Sequence, residues 1–320
     1  MAGRFLATVL ALAGLGGYAL GDRGHFVVPS GGKPQAYLFD EGQQAIIVWD
    51  GKQETLVLST NLRASEDAVD VEFLPLPSKP SEVKQAPPDI FNVIEKIIRA
   101  HAPPAFPRGI SQGTGGGRTK GMAAGRPAVV VVMYAKIGAH DITVARVDDF
   151  SGFRGWIKRF LEQRGLAGGG WANRAEGLRK LVGEYLSDGY RYFVFDVIQL
   201  ERSVRSVEPI IYRFASRRLY YPLRVSEYST GRTKINLFLI TPWEVNVWGT
   251  RTGFWAGRFR WDQPIKFWLT RDDLRRLDSL PAELGGLSLH FTNAVYRGPC
   301  FLLRADFVAS EPRAGVARAY

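Results

Sequence analysis

At 320 residues, with 46% hydrophobic and 12% aromatic content, the chain can build a substantial core; this excludes a wholly disordered protein and allows one large domain or two ordinary ones. A formal charge of +11 suits an approach to anionic headgroups, acidic glycans or nucleic acid without selecting among them. One cysteine, Cys300, excludes an internal disulfide, and its apolar neighbours Phe301, Leu302 and Leu303 predict a buried small hydrophobe.

Residues 1–21 differ from the rest. Arg4 precedes an apolar run, and Ala19 and Gly21 offer small residues to a cleaving peptidase. This predicts a signal peptide or, uncleaved, an N-terminal membrane anchor. Either puts the folded part on the extracytoplasmic side, secreted or anchored to the cytoplasmic membrane. Residues 22–100 read as a β-rich N-terminal part. A glycine-rich spacer over 22–34 leads to a short strand at 36–39, then to strands at 45–49 and 55–59 flanking the hairpin turn Asp50-Gly51-Lys52. A strand at 69–74 follows, stopped by Pro75, Pro77 and Pro80, and an amphipathic helix is predicted over 89–100. Residues 101–127 have almost nothing to bury and predict a flexible Gly/Pro-rich insert or linker. The run Gly115-Gly116-Gly117-Arg118-Thr119-Lys120-Gly121 is not a phosphate loop, because its glycine-to-lysine spacing is wrong and no Ser or Thr follows the lysine.

Residues 128–310 form an α+β part. Strands at 129–134 and 142–147 lead into two short helices. The first is capped by Ser151 and carries Phe153, Trp156, Ile157, Phe160 and Leu161 on one face; the second opens at Asn173 and carries Leu178, Leu181, Val182, Tyr185 and Leu186. Such helices must dock on something to persist. The receiver is a strand at 190–200 in which Tyr192, Val194, Asp196 and Ile198 alternate with Phe193, Phe195 and Val197. Further strands are predicted at 209–214, 219–225, 235–240, 244–248, 258–261, 265–269, 287–291 and 301–307, with a short helix capped by Thr270. Residues 311–320 are a polar, frayed tail. Many short strands with few helices give an α+β fold, predominantly antiparallel, with a pair of short amphipathic helices packed on one side.

No residue pattern identifies a catalytic, cofactor or metal site. His25, His101, His140 and His290 are scattered without ligand spacing. Asp148-Asp149 and Asp272-Asp273 are adjacent pairs whose side chains diverge, so neither is the converging pair of a glycosidase. Asp196 amid aromatics reads as a paired structural aspartate or a site acid, with no partner evident in sequence. His140-Asp141 at a turn and the polar Asp40-Glu41 region are the other acid–base candidates. Over residues 205–276 positive groups exceed negative ones by 14 to 6, with Trp243, Trp248, Trp255, Trp261 and Trp268 interleaved. That pattern fits a surface that stacks on a ligand while attracting anions, or strands with aromatics inward and arginines outward.

Glu41-Gly42-Gln43-Gln44 runs into Ala45-Ile46-Ile47-Val48-Trp49-Asp50-Gly51, and Glu54-Thr55-Leu56-Val57-Leu58 and Pro75-Leu76-Pro77-Ser78-Lys79-Pro80 follow. Gly155-Trp156-Ile157 and Tyr221-Pro222-Leu223-Arg224-Val225-Ser226 come next. In this order the stretches resemble a prokaryotic exported family of unknown function, uncharacterised family 2330, over about residues 39–240. The resemblance implies export and carries across no established catalytic residues. Members often carry cysteines near the mature N-terminus, which this chain lacks. The combined expectation is an exported or anchored envelope protein that binds an envelope protein, a glycan or an anionic membrane surface without catalysis, using no cofactor. Export disfavours nucleic acid. An extracytoplasmic hydrolase using carboxylate and histidine chemistry and a self-assembling surface component are the alternatives.

Overall fold

The structure, a computed structural model, describes residues 26–29, 38–40, 42–59, 61–64, 68–101, 128–166, 171–200, 205–206, 208–227, 232–249, 261–278, 280 and 288–310. Expectations for residues 1–21, most of 101–127 and 311–320 lie outside them. In chain order the strands begin with β1 (Phe26–Pro29), β2 (Leu38–Asp40), β3 (Gln43–Trp49) and β4 (Gln53–Ser59). Then come β5 (Asn61–Ala64), β6 (Ala68–Leu76), β7 (Pro80–Gln85) and helix α1 (Ile90–His101). β8 (Val129–Ile137) and β9 (His140–Val147) precede helices α2 (Phe150–Glu162) and α3 (Trp171–Ser187), and β10 (Tyr192–Leu200) follows. The remainder comprises β11 (Arg205–Ser206), β12 (Ile210–Ala215), β13 (Leu219–Tyr221), β14 (Arg232–Thr241), β15 (Ile265–Trp268), helix α4 (Arg271–Arg276), β16 (His290–Pro299) and β17 (Phe307–Ala309).

Two large sheets dominate. One has five strands in the order β1-β6-β10-β9-β8, and the other has seven, β15-β16-β14-β3-β4-β12-β7. Pairing among these strands is antiparallel except for β14 beside β3. Strands from the first hundred residues and from the last hundred therefore share one sheet.

Three apolar clusters explain how the sheets stack. Alternation on a strand sends neighbours to opposite faces. In β3, Ala45, Ile47 and Trp49 join a cluster that also holds Val194 and Val144 of the five-stranded sheet, so the two sheets face each other. Ile46 and Val48 of the same strand turn away to meet Ile90, Ile94 and Ile97 of α1 and Leu277 beside α4. On the far side of the five-stranded sheet, Phe193, Phe195 and Val197 of β10 meet Phe153, Ile157 and Phe160 of α2 and Leu178, Leu181 and Val182 of α3. The order is helix pair, sheet, sheet, helix pair. The α2–α3 pair covers one face as expected, and α1 with α4 covers the outer face of the second sheet.

Local chemistry sets the element ends. Gly51 adopts φ 103 in the β3–β4 turn, where Asp50 Oδ1 accepts from the backbone N–H groups of Lys52 and Gln53, both at 2.7 Å. Helix α2 is capped by Asp149, which accepts from the N–H groups of Ser151 and Gly152, rather than by Ser151. Thr270 and Asp273 form the expected reciprocal cap of α4.

Several elements differ from expectation. Residues 26–29 form a strand within the predicted spacer and pair with the first half of β6. The predicted strand at 219–225 stops at Tyr221, because Pro222 starts a 3-10 turn over Leu223–Ser226. Residues 244–248 form no strand; a 3-10 turn occupies Val247–Gly249. The strand at 287–291 is instead the start of the ten-residue β16, whose polar Thr292 and Asn293 hid its continuation. At 301–307 a 3-10 turn, Cys300–Leu302, precedes the short β17, and Cys300 is buried as expected.

Candidate functional site

The chain turns converge at one end of the two sheets and enclose an open pocket of about 760 Å³. Gly51 and Lys52 come from the β3–β4 turn, Pro77 and Ser78 from the β6–β7 turn, and Asp188 and Tyr190 from the α3–β10 turn. The β12–β13 turn supplies Ser216, Arg217, Arg218 and Tyr220; Arg224 and the stretch from Arg304 to Asp306 complete the walls. Five cationic side chains thus face two carboxylates, Asp188 and Asp306.

Buried bonds hold the β12–β13 turn in place. The Trp49 indole N–H donates to Ser216 O at 3.0 Å, Ser216 N donates to Lys52 O at 2.8 Å, and Tyr220 N donates to Glu54 Oε2 at 2.8 Å. Glu54 is fully buried, and this desolvation holds its carboxyl well above the usual range, with the Tyr220 bond opposing. Arg217 and Arg218, at the tip of this pinned turn, are exposed and have no carboxylate partner among the described residues, and the same holds for the exposed Lys52.

Arg224 and Asp306 form the inner wall. Asp306 Oδ1 accepts from the Tyr185 hydroxyl at 2.7 Å and from Arg224 N at 3.0 Å. The Arg224 guanidinium lies 4.1 Å over the Tyr185 ring, with one nitrogen 2.7 Å from Asp188 Oδ2 and 3.9 Å from Asp306 Oδ2. Burial pushes Asp306 up to about 6, against the pull of Arg224 and the two hydrogen bonds. Tyr185, Tyr190 and Tyr220 contact one another ring to ring at 5.2 and 5.5 Å, and burial raises all three phenols, which therefore stay protonated.

The sequence-derived candidates fall elsewhere. His140 does not pair with Asp141, which binds Arg164 at 3.1 Å; its Nδ1 lies 2.5 Å from Asp196 Oδ2, and its Nε2 3.1 Å from the Glu208 carbonyl. The antiparallel register of β9 and β10 sets Ile198 opposite His140, and Asp196 two residues away shares its face. Glu72 lies opposite Asp196 on the other side. His140 and Asp196 are each 2% exposed and face the space between the sheets. Burial raises Asp196 and His140 opposes this; burial lowers His140, but Asp196, with Glu72, outweighs it and holds the imidazole above its ordinary value. Asp196 Oδ1 has no hydrogen-bond partner among the described residues.

His101 contacts Asp273 at 2.8 Å and ties α1 to α4, and His290 stacks edge-on to Trp268. Neither approaches the pocket walls, and His25 and the side chains of Asp40 and Glu41 lie outside the described residues. Among the described residues no group of three or more His, Cys, Asp or Glu side chains is arranged to hold a metal ion. The tryptophans of residues 205–276 divide. Trp261 is buried against Tyr296 and Phe307, Trp243 packs edge-on to Trp49, and Trp248 and Trp268 are about half exposed. Trp255 and residues 258–260 lie outside the described residues. The basic pocket was missed in sequence because its cations come from turns far apart in the chain; the Arg217-Arg218 pair beside a predicted turn was the available signal.

Among the described residues no helix is long and apolar enough to cross a membrane. No curated protein matches the chain. Among solved structures, a mutated baculovirus P35 after caspase cleavage matches at 7% identity and a TM-score of 0.43, covering 84% of this chain and 99% of that one. Baculovirus P35 itself matches at 9% identity and a TM-score of 0.41, covering 87% and 99%. These values are too low to bear on function. A family profile matches residues 24–261, and the chain accordingly belongs to the family of uncharacterised proteins conserved in bacteria known as DUF2330.

Proposed function

We propose that this chain is an exported bacterial protein that binds an anionic partner in the basic pocket and carries out no chemistry on it. The observation that carries the reading is the open pocket whose outer cations, Lys52, Arg217 and Arg218, have no carboxylate partner among the described residues, while both pocket carboxylates are engaged by Arg224. Unpaired cations in a concave site concentrate field and attract anions. Export rests on the apolar segment at residues 5–20 that follows Arg4.

Catalysis is less well supported. An acid and a base must meet in a cleft that substrate can reach. His140 and Asp196 meet, but they are sealed between the sheets and absent from the pocket walls.

The test is equilibrium binding of the full chain to heparin as a generic polyanion, with cell fractionation alongside. Expected are binding that weakens as salt rises, recovery of the protein outside the cytoplasm, and at least a tenfold loss of affinity in Arg217→Ala/Arg218→Ala. That double variant should keep its stability to within about 0.5 kcal/mol, since both residues are exposed. Unchanged affinity in the double variant would remove the pocket from the reading.

A further inference from the structure

We propose that the ligand of the pocket is an acidic carbohydrate, a sugar unit bearing a carboxylate or phosphate group. The inference rests on the reading of the pocket as an anion site and names the ligand's class. The pocket presents two different chemistries. Arg217 and Arg218 on the pinned turn offer planar, multi-donor groups suited to a carboxylate or phosphate. Asp188 offers the opposite capacity, an acceptor for hydroxyl donors, and Asp306 lies behind it, held by Tyr185 and Arg224. Asp188 is half exposed, with a 51% accessible side chain, and spends one oxygen on Arg224, leaving the other to meet ligand.

These two walls discriminate among ligands by charge. A bare anion satisfies the arginines and is repelled by the carboxylates. A neutral sugar satisfies the carboxylates and leaves the cations unanswered. A molecule with one anionic group and several hydroxyls satisfies both walls. Size points the same way, because about 760 Å³ lies within the range of pockets for small organic ligands and far exceeds what a single phosphate fills. Tyr190, partly exposed at the pocket, adds an aromatic face on which a sugar ring's C–H groups can rest.

The experiment is titration calorimetry on the full chain with four probes: a glucuronate-containing disaccharide, a disaccharide phosphate, the matching neutral disaccharide and inorganic phosphate. Either acidic sugar is expected to bind at least tenfold more tightly than the neutral sugar and inorganic phosphate, and the tighter of the two identifies the anionic group. Arg217→Ala/Arg218→Ala and Asp188→Ala, which removes the acceptor, should each weaken that binding at least tenfold, with unfolding midpoints showing that both variants are folded. Inorganic phosphate binding as tightly as the acidic sugars, in an arginine-dependent way, overturns the carbohydrate assignment and leaves the anion site standing. Neutral sugar binding equally well, or no probe and no polyanion depending on the arginines, overturns both. Full affinity in a folded Asp188→Ala removes the carboxylate wall from the recognition.

Discussion

Asp196 and Asp306 both have nearly inaccessible side chains and a basic neighbour, yet one is sealed between two sheets and the other stands in the wall of an open pocket. Around Asp196 the neighbours are His140, Glu72 and Asp70 on adjacent strands, at register positions that the ladder fixes. Around Asp306 they are Tyr185, Arg224 and Asp188, brought from a helix, a 3-10 turn and a loop. The ladder places its charges where solvent cannot follow, so they act on stability. The loops place theirs in the wall of an open pocket, where under the proposed function they act on recognition.

The largest expected difference follows from sealing. Asp196→Ala leaves His140 buried without its counter-charge, and removal of one member of such a pair costs about 3–5 kcal/mol. Urea unfolding measures this, and a cost below about 1 kcal/mol would show that the pair is not a buried ion pair. Polyanion binding by the folded fraction should be unchanged.

The next effect is in pH. Asp306 has a folded pKa of about 6, above its ordinary 3.8, so folding favours its protonated form. Its stability contribution is fully present below pH 3.8 and is lost as pH rises through 6, by roughly 2–3 kcal/mol. His140, also raised, shifts stability in the same direction above its ordinary 6.5. Unfolding free energies across pH 4–8 should therefore decline in wild type. Asp306→Asn, which keeps an acceptor for Tyr185, should make the decline between pH 4 and 6 shallower, the remainder belonging to the other raised carboxyls, Glu54 and Asp196. An identical profile in the variant would transfer the effect to other groups.

The smallest effect lies on the opposite face of the strand that carries Asp196. Trp156 is half-buried, with ring contacts to Phe160 at 5.0 Å and to Phe195 at 5.1 Å. Trp156→Ala should cost roughly 1–2 kcal/mol in unfolding free energy, less than for a fully buried tryptophan. A loss matching that of Asp196→Ala would mean that the helix layer, rather than the sealed pair, dominates stability.

Much of the framework was legible because it rests on local periodicity. The faces of α2 and β10 followed from spacing alone, and Phe153, Ile157, Phe193 and Phe195 pack where that spacing puts them. The site was far less legible. Asp196 stood out as a carboxylate among aromatics, but its partner His140 is supplied by strand pairing across two intervening helices. Arg217 and Arg218 were noticed as charge within a basic half, whereas the pocket they edge exists only once five separated segments meet. The tryptophans stayed undivided between core and surface for a related reason: the same residue type serves as core at Trp261 and stands half exposed at Trp268.

Among the described strands the one parallel pairing, β14 beside β3, joins segments far apart in the sequence. The hairpin of β3 and β4 is made early, but one edge of β3 stays without its neighbour until Arg232–Thr241 has been synthesised. Its two apolar faces, Ala45, Ile47 and Trp49 on one side and Ile46 and Val48 on the other, must wait as well. Contacts so distant in sequence form slowly, because loop closure comes before any gain from pairing. The seven-stranded sheet therefore closes only after β14, β15 and β16 have been made, whereas the five-stranded sheet has all its strands by Leu200.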